Sequence, residues 1–333
     1  MSEIYTVIIG ILGILAVSGL FVGVTNDAVN FLNSAIGSKA ASMRVILTVA
    51  SVGIVIGVIT SSGMMEVARS GMFNPALFSF HEVMMLYLGV MFANIILLDL
   101  YNSWGLPTST TVSIIFELLG SALAAALYKI YTTAGSFADV GQFINSARAL
   151  TMISGILISV VVAFISGMIV QYIARLIFTF HFEKIYRRIG GVYGGFAITA
   201  IIYFLVMKGA RGSSFMRPEW ISWIDANTQI ILITLLVSLC ILFHILIVFF
   251  NVNVFRIIIL SGTFSLAFAF AGNDLVNFVG VPLAALSSVQ DFMAHGTDGA
   301  TYMMSSLLEN DPAPTIFLLL SGLVMVATLW FSK

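Results

Sequence analysis

The chain is dominated by apolar stretches about as long as a bilayer's hydrocarbon core is thick. A spanning helix needs about 20 mostly apolar residues. Nine such stretches can be drawn here, at about 4–24, 45–61, 82–101, 110–130, 150–178, 191–207, 229–250, 257–272 and 314–331. Inside hydrocarbon every backbone N–H and C=O needs an internal partner, which leaves only helices and closed barrels. The alternating pattern of barrel strands is absent, so the expected fold is an all-α polytopic membrane protein. Composition agrees, with 60% hydrophobic and 9% charged residues, against roughly 25% charged in soluble domains.

The same features exclude several function classes. With 14 Lys+Arg against 15 Asp+Glu the net charge is −1, which offers no nucleic-acid-binding face. The single Cys240 lies in an apolar run, and His81, His181, His244 and His295 are scattered. No disulfide framework, zinc-type spacing, nucleotide-binding glycine pattern or cofactor box can be read from them. The first apolar run lacks a basic leader and is long enough to span, unlike a signal peptide. The polar connections 62–81, 131–148, 208–228 and 288–312 are too short for a folded extramembrane domain. Within them, SGMMEVARSGMF at 62–73 reads as a polar loop or as an amphipathic helix in the interface.

Positive charge sets the expected orientation. The densest basic segment carries Lys184, Arg187 and Arg188 and is placed in the cytoplasm. Counting back five spans puts the N-terminus outside. Counting forward puts Lys208, Arg211 and Arg217 outside too, against the rule.

Polar residues inside apolar runs carry the functional information. N-D-x-V-N-F occurs twice, as Asn26, Asp27 and Asn30 and again as Asn273, Asp274 and Asn277, 247 residues further on. A carboxylate at membrane depth costs roughly 2.5–3.5 kcal/mol on insertion scales, so two in equivalent positions point to function. The structural alternative is that each aspartate caps a helix. Either way the motif is expected to interrupt its helix and expose backbone groups able to bind ions. The span count presents the two copies in opposite senses, as an inverted-topology repeat does. Asp and Asn oxygens suit a hard cation such as Na⁺.

A third motif, Gly105-Leu106-Pro107-Thr108-Ser109-Thr110-Thr111, separates two apolar runs. Gly and Pro stop the first helix, and hydroxyl residues open the next. A helix N-terminus offers free N–H groups and a positive dipole end, which together favour an oxyanion. The alternative is an ordinary Ser/Thr cap. Glu117 lies two turns after Thr110 on the same face. There it is either a coupling or proton-relay carboxylate or a partner for a hydroxyl on another helix. Asp99 reads as interfacial, and the small-residue runs Ala122–Ala126 and Gly155–Gly167 as helix-packing surfaces.

At these residues the chain resembles the inorganic phosphate transporter family of the PiT type. That family is marked by a duplicated G-A-N-D-V-A-N-x-x-G and by G-L-P-x-S-T-T. The first copy departs from the pattern at Val24 and Asn33, the second keeps Gly280, and Val112 stands where a His commonly follows the hydroxyl segment. The resemblance implies a secondary active transporter that imports inorganic phosphate with a cation, Na⁺ ahead of H⁺. Asp27, Asn30, Asp274 and Asn277 would hold Na⁺ with help from Asn26 and Asn273, and Thr108, Ser109, Thr110 and Thr111 would hold phosphate. Na⁺ as coupling ion is the only cofactor expected. The partners are phosphate, the cation, the lipid bilayer and a second copy in a candidate homodimer, with no nucleic acid. The location is the plasma or inner membrane.

Residues 1–180 then form the first repeat, 181–250 a central cytoplasmic loop with linking helices, and 251–333 the start of the second repeat. The second repeat's counterpart of Pro107 falls past Lys333, so that repeat is expected to be truncated. A related oxyanion (sulfate) permease is the nearest alternative. An ion channel would need a ring of charges or carbonyls, and an enzyme a nucleophile–base pair that is not apparent.

Overall fold

The computed structural model describes residues 3–60, 67–133, 135–178, 182–206, 216–309 and 313–332. Among these residues the protein is all-helical: α1 (Glu3–Gly37), α2 (Met43–Thr60), α3 (Phe80–Trp104), α4 (Thr110–Thr132), a one-turn α5 (Val140–Phe143), α6 (Ser146–Phe178), α7 (Phe182–Phe204), α8 (Pro218–Phe250), α9 (Val254–Asn273), α10 (Leu275–His295) and α11 (Thr315–Phe331). The only β pairings described are isolated bridges, Phe73 with Ile144 and Ser79 with Met303.

Seven stretches among the described residues are long and apolar enough to cross a membrane: α1, α2, α3, α4, α6, α8 and the run Val254–His295 across α9 and α10. Two of the nine expected spans fall on helices outside that set. Helix α7 opens with Glu183, Lys184, Arg187 and Arg188, and the apolar α11 has 17 residues. Helix α10 is an addition, since the sequence pattern placed no helix directly after the second asparagine–aspartate copy.

The described chain groups into two compact units, one of Met1–Val29, Ser61–Gly155 and Phe270–Lys333, the other of Asn30–Thr60 and Ile156–Ala269. In the first unit α3 begins with a capping box. The Ser79 Oγ accepts from the Glu82 N–H at 3.3 Å, and Glu82 Oε2 accepts from the Ser79 N–H at 2.7 Å. Lys129 of α4 donates to the same Glu82 oxygen and to the Leu77 carbonyl, both at 2.8 Å. These bonds satisfy donors that any helix start leaves open, and they tie α3 to α4.

Segments before α3 and after α10 also pair: the Phe80 N–H donates to Tyr302 O at 2.7 Å and the Met304 N–H to Phe78 O at 3.1 Å. Residues 62–66 lie outside the described residues. The rest of 62–73 departs from both expectations for it. Val67–Gly71 is a single π turn with Ala68, Arg69 and Gly71 buried, and Met72 and Phe73 are buried with them. Burial leaves the Arg69 head within the protein, where its Nη2 donates to Ser306 O at 3.4 Å.

In the second unit α7 and α8 pack backbone to backbone. Four glycines of α7 (Gly190, Gly191, Gly194 and Gly195) face Phe243, His244, Cys240 and their neighbours; a side chain on Gly191 would sit 2.8 Å from the His244 nitrogen. Association in lipid relies on such close approach, because tails are as apolar as leucine. Helix α6 is the opposite case. Its only buried residue is Ala149, and Leu157, Val161 and Phe164 are exposed. The Gly155–Gly167 run therefore does not pack helices among the described residues: a side chain on either terminal glycine would meet open space. Ala122 and Ala126 of α4, in contrast, are completely buried.

Candidate functional site

The site is built in the first unit from α1, the α3–α4 turn, α4 and the α9–α10 junction. Gly105 ends α3 in the left-handed region (φ 66°), a conformation cheap only for glycine. Its N–H donates to Asn102 O at 3.0 Å and the Leu106 N–H to Tyr101 O at 2.9 Å. The chain then runs extended through Leu106–Ser109 and re-enters a helix at Thr110.

The first asparagine–aspartate copy clamps that turn. Asn26 Nδ2 donates to Asn102 Oδ1 at 2.7 Å and to Leu106 O at 3.1 Å, while its Oδ1 accepts from the Thr108 N–H at 3.0 Å. Asn102 in turn donates to Val22 O of α1 at 3.0 Å. The expected helix break is absent here: α1 continues from Glu3 to Gly37 straight through Asn26, Asp27 and Asn30. Thr25, standing where the second copy has Gly272, donates its hydroxyl to Phe21 O at 2.8 Å and so stays within the helix.

The second copy does interrupt its helix. Helix α9 ends at Asn273, Asp274 lies between, and α10 starts at Leu275. The interruption turns two polar groups onto the start of α4. Thr111 Oγ1 donates to Asp274 Oδ1 at 2.9 Å, and Asn277 Nδ2 lies 3.0 Å from both Thr111 Oγ1 and Asp274 Oδ1. Thr110 Oγ1 stands 3.4 Å from the same amide. Asp27, next to Asn26 on α1, is 4% exposed.

Three segments far apart in sequence, 22–27, 102–111 and 274–277, thus meet around one hydroxyl-rich helix start. A family model described as the phosphate transporter family matches residues 23–332, a range containing all of them but Val22. The chain belongs to the phosphate transporter family. Among solved structures it is similar to one called "The sodium-dependent phosphate transporter", with a TM-score of 0.69 at 18% identity over 98% of this chain and 75% of that one. Identity that low speaks for a shared fold. A comparison with curated proteins gives no match.

The transporter's expected site residues divide into two groups. Asn26, Asp27, Thr108, Thr110, Thr111, Asp274 and Asn277 are gathered here. Asn273 is exposed, and Asn30 is exposed and belongs to the second unit. Ser109 is an exposed N-cap whose Oγ accepts from the Val112 N–H at 3.3 Å. Glu117 accepts from Asn94 Nδ2 at 3.0 Å, so it has a partner, an amide on α3 in place of the expected hydroxyl. Asp99 is exposed.

Asn94 and Asn102 were missed from the sequence, although each is an isolated amide in an apolar helix. Phe278 was missed as well. Its ring fills the space over Gly23, where any side chain would overlap it, and it lies near Gly19. This seats the second copy against the first.

Proposed function

We propose that this protein is a secondary active transporter that carries inorganic phosphate inward with Na⁺. The observation that supports it is the hydrogen bond from Thr111 to Asp274, which joins a candidate anion donor to a candidate cation ligand. Asp274 holds the Thr111 proton as long as nothing else claims its lone pairs. A cation on Asp274 would compete for those lone pairs and free Thr111 to donate to an oxyanion at the α4 start, where the dipole is positive.

Charge makes the order one-sided. Phosphate beside ionised Asp27 and Asp274 would be repelled by about 4 kcal/mol per charge pair at 4 Å and an effective dielectric of 20. Bound cations remove that penalty, so anion binding should require them, and by linkage phosphate should tighten cation binding by the same factor. In this reading Asp27, Asp274 and Asn277 serve Na⁺, and Thr108, Thr110 and Thr111 serve phosphate. On the same reading the chain crosses the membrane about nine times as an inverted repeat, N-terminus outside, with the basic start of α7 in the cytoplasm. What supports the orientation is Lys184, Arg187 and Arg188.

The test is uptake of labelled phosphate into proteoliposomes under an inward Na⁺ gradient, an inward proton gradient, or neither. Accumulation above equilibrium only with Na⁺ supports the proposal. Accumulation driven by protons alone would replace the ion, and competition by equimolar sulfate would replace the substrate. Flux that merely follows the phosphate gradient would indicate a channel.

A further inference from the structure

A cavity of about 620 Å³ opens between α3 and α4, and Glu117 lines it together with Ser113 and Ser121. Spacings of four residues put these three side chains on one face of α4. Both hydroxyl protons are already committed, Ser113 to Ser109 O at 3.1 Å and Ser121 to Leu86 O at 2.8 Å. They therefore turn lone pairs, and no protons, to their remaining neighbours.

The Asn94–Glu117 pair has the same polarity. Asn94 gives one N–H to Glu117 Oε2, while Asn94 Oδ1 and Glu117 Oε1 are buried acceptors with no hydrogen-bond donor among the described residues. Asn94 is completely buried, and its Oδ1 is next to Gly19 of α1, which has no side chain to offer. Two orphan acceptors on one pair at membrane depth are a costly arrangement. A single positive charge would satisfy both; an anion would satisfy neither.

We infer that Glu117 and Asn94, flanked by Ser113 and Ser121, form a second site for a monovalent cation, separate from the paired asparagine–aspartate motifs. The cation is either an alkali ion entering through the α3–α4 cavity or a proton bridging Glu117 Oε1 to Asn94 Oδ1. The other acidic and basic groups on α1, α3, α4 and α10 are Glu3, Asp27, His81, Glu82, Asp99, Lys129, Asp291 and His295, with Asp274 at the start of α10. Of these, Glu82 and Lys129 are paired with each other at 2.8 Å, and His295 lies 3.1 Å from Asp291. The inference rests on the transporter reading for its purpose, a further coupling charge per cycle, but the site itself can be read without transport.

The experiment counts cations on purified protein in detergent without phosphate, using radioactive sodium in one arm and proton release on pH titration in the other. The wild type, Glu117→Gln, Glu117→Asp, Asn94→Ala and the Asp27→Asn/Asp274→Asn double variant are compared. Glu117→Gln should lose one bound ion in one arm, which identifies that ion, and Glu117→Asp should keep it. Asn94→Ala should weaken it about tenfold, as loss of a supporting partner does. The double variant should retain one cation.

Unchanged counts in both arms for a monodisperse Glu117→Gln would overturn the site. So would a double variant that retains no cation, and this second result does not depend on how the Glu117 variants fold. If either occurs while wild-type uptake remains Na⁺-driven, the second site fails and the transporter reading stands. If the counts behave as expected but no gradient drives uptake, the reverse holds.

Discussion

In the first copy of N-D-x-V-N-F the helix runs through the motif, and the buried groups are its first asparagine and its aspartate, Asn26 and Asp27. In the second copy the helix is interrupted at Asp274, and the groups turned to the site are the aspartate and the last asparagine, Asp274 and Asn277. The two copies also differ in the residue that precedes them. Gly272 lowers helix propensity by about 1 kcal/mol relative to Ala, whereas Thr25 bonds back to its own helix. Five shared letters therefore serve two tasks. One copy grips the backbone of the 106–108 turn through Asn26, and the other grips the hydroxyls of Thr110 and Thr111. An internal repeat is thus a guide to where a site lies and a poor guide to which of its residues act.

Removing each carboxylate tests that comparison most severely. Asp27→Asn and Asp274→Asn should each reduce Na⁺-driven uptake at least a hundredfold while leaving a folded, monodisperse protein. They should differ in one respect. Asp274→Asn also removes the carboxylate that competes for the Thr111 proton, so its phosphate affinity should exceed that of Asp27→Asn. Equal phosphate affinities by equilibrium binding would mean that the asymmetry between the copies has no functional weight.

The next effect concerns the hydroxyls held by the second copy. Charge-assisted hydrogen bonds contribute about 1.5–3 kcal/mol each, so Thr111→Ala or Thr110→Ala should weaken phosphate binding by about one to two orders of magnitude. Thr111→Ser keeps the donor and should recover most of the loss. Phosphate affinity unmoved in both alanine variants would place the anion elsewhere.

How much of this was legible follows from the range of the interactions. The α3 stop at Gly105, the hydroxyl start of α4 and the all-helical class rest on local rules about glycine, proline and apolar length, and these could be read directly. Helix α10 could not. Pro282 and the polar run Ser287-Ser288-Val289-Gln290-Asp291 break up its apolar pattern, and its burial against the rest of the first unit, with Asn277, Phe278 and Ser288 inside, compensates. Asn102 was passed over because its role exists only across 76 residues to Asn26, and nothing local to either says that the two meet. The continuity of α1 was misjudged because the motif's polarity was given more weight than its helical neighbours.

Contact between the copies gives a smaller and purely structural effect. Gly23→Ala would push a methyl group into the Phe278 ring, and overpacking of this kind typically costs 1–3 kcal/mol. Thermal stability in detergent should fall accordingly, and Phe278→Leu added to Gly23→Ala should return part of it. A non-additive double-mutant cycle is the expected signature of direct contact; strict additivity would mean that the two side chains do not meet.

The smallest effect separates Ser109 from its neighbours. All four hydroxyl residues from Thr108 to Thr111 were expected to serve the anion, yet Ser109 is exposed and its Oγ already accepts the Val112 N–H at 3.3 Å. A residue in that position does the work of an N-cap, and replacing it by alanine costs about 1 kcal/mol of stability. Ser109→Ala should therefore lower the melting temperature slightly and leave phosphate affinity within about twofold of wild type, whereas Thr111→Ala does the reverse. Ser109→Asp makes the contrast sharper. Aspartate caps as well as serine does, so stability should hold, but a new negative charge at the α4 start should repel phosphate and cut its affinity without touching Thr111. If Ser109→Ala loses affinity as strongly as Thr111→Ala, the cap and the anion share one hydroxyl, and the division of labour along this segment is wrong.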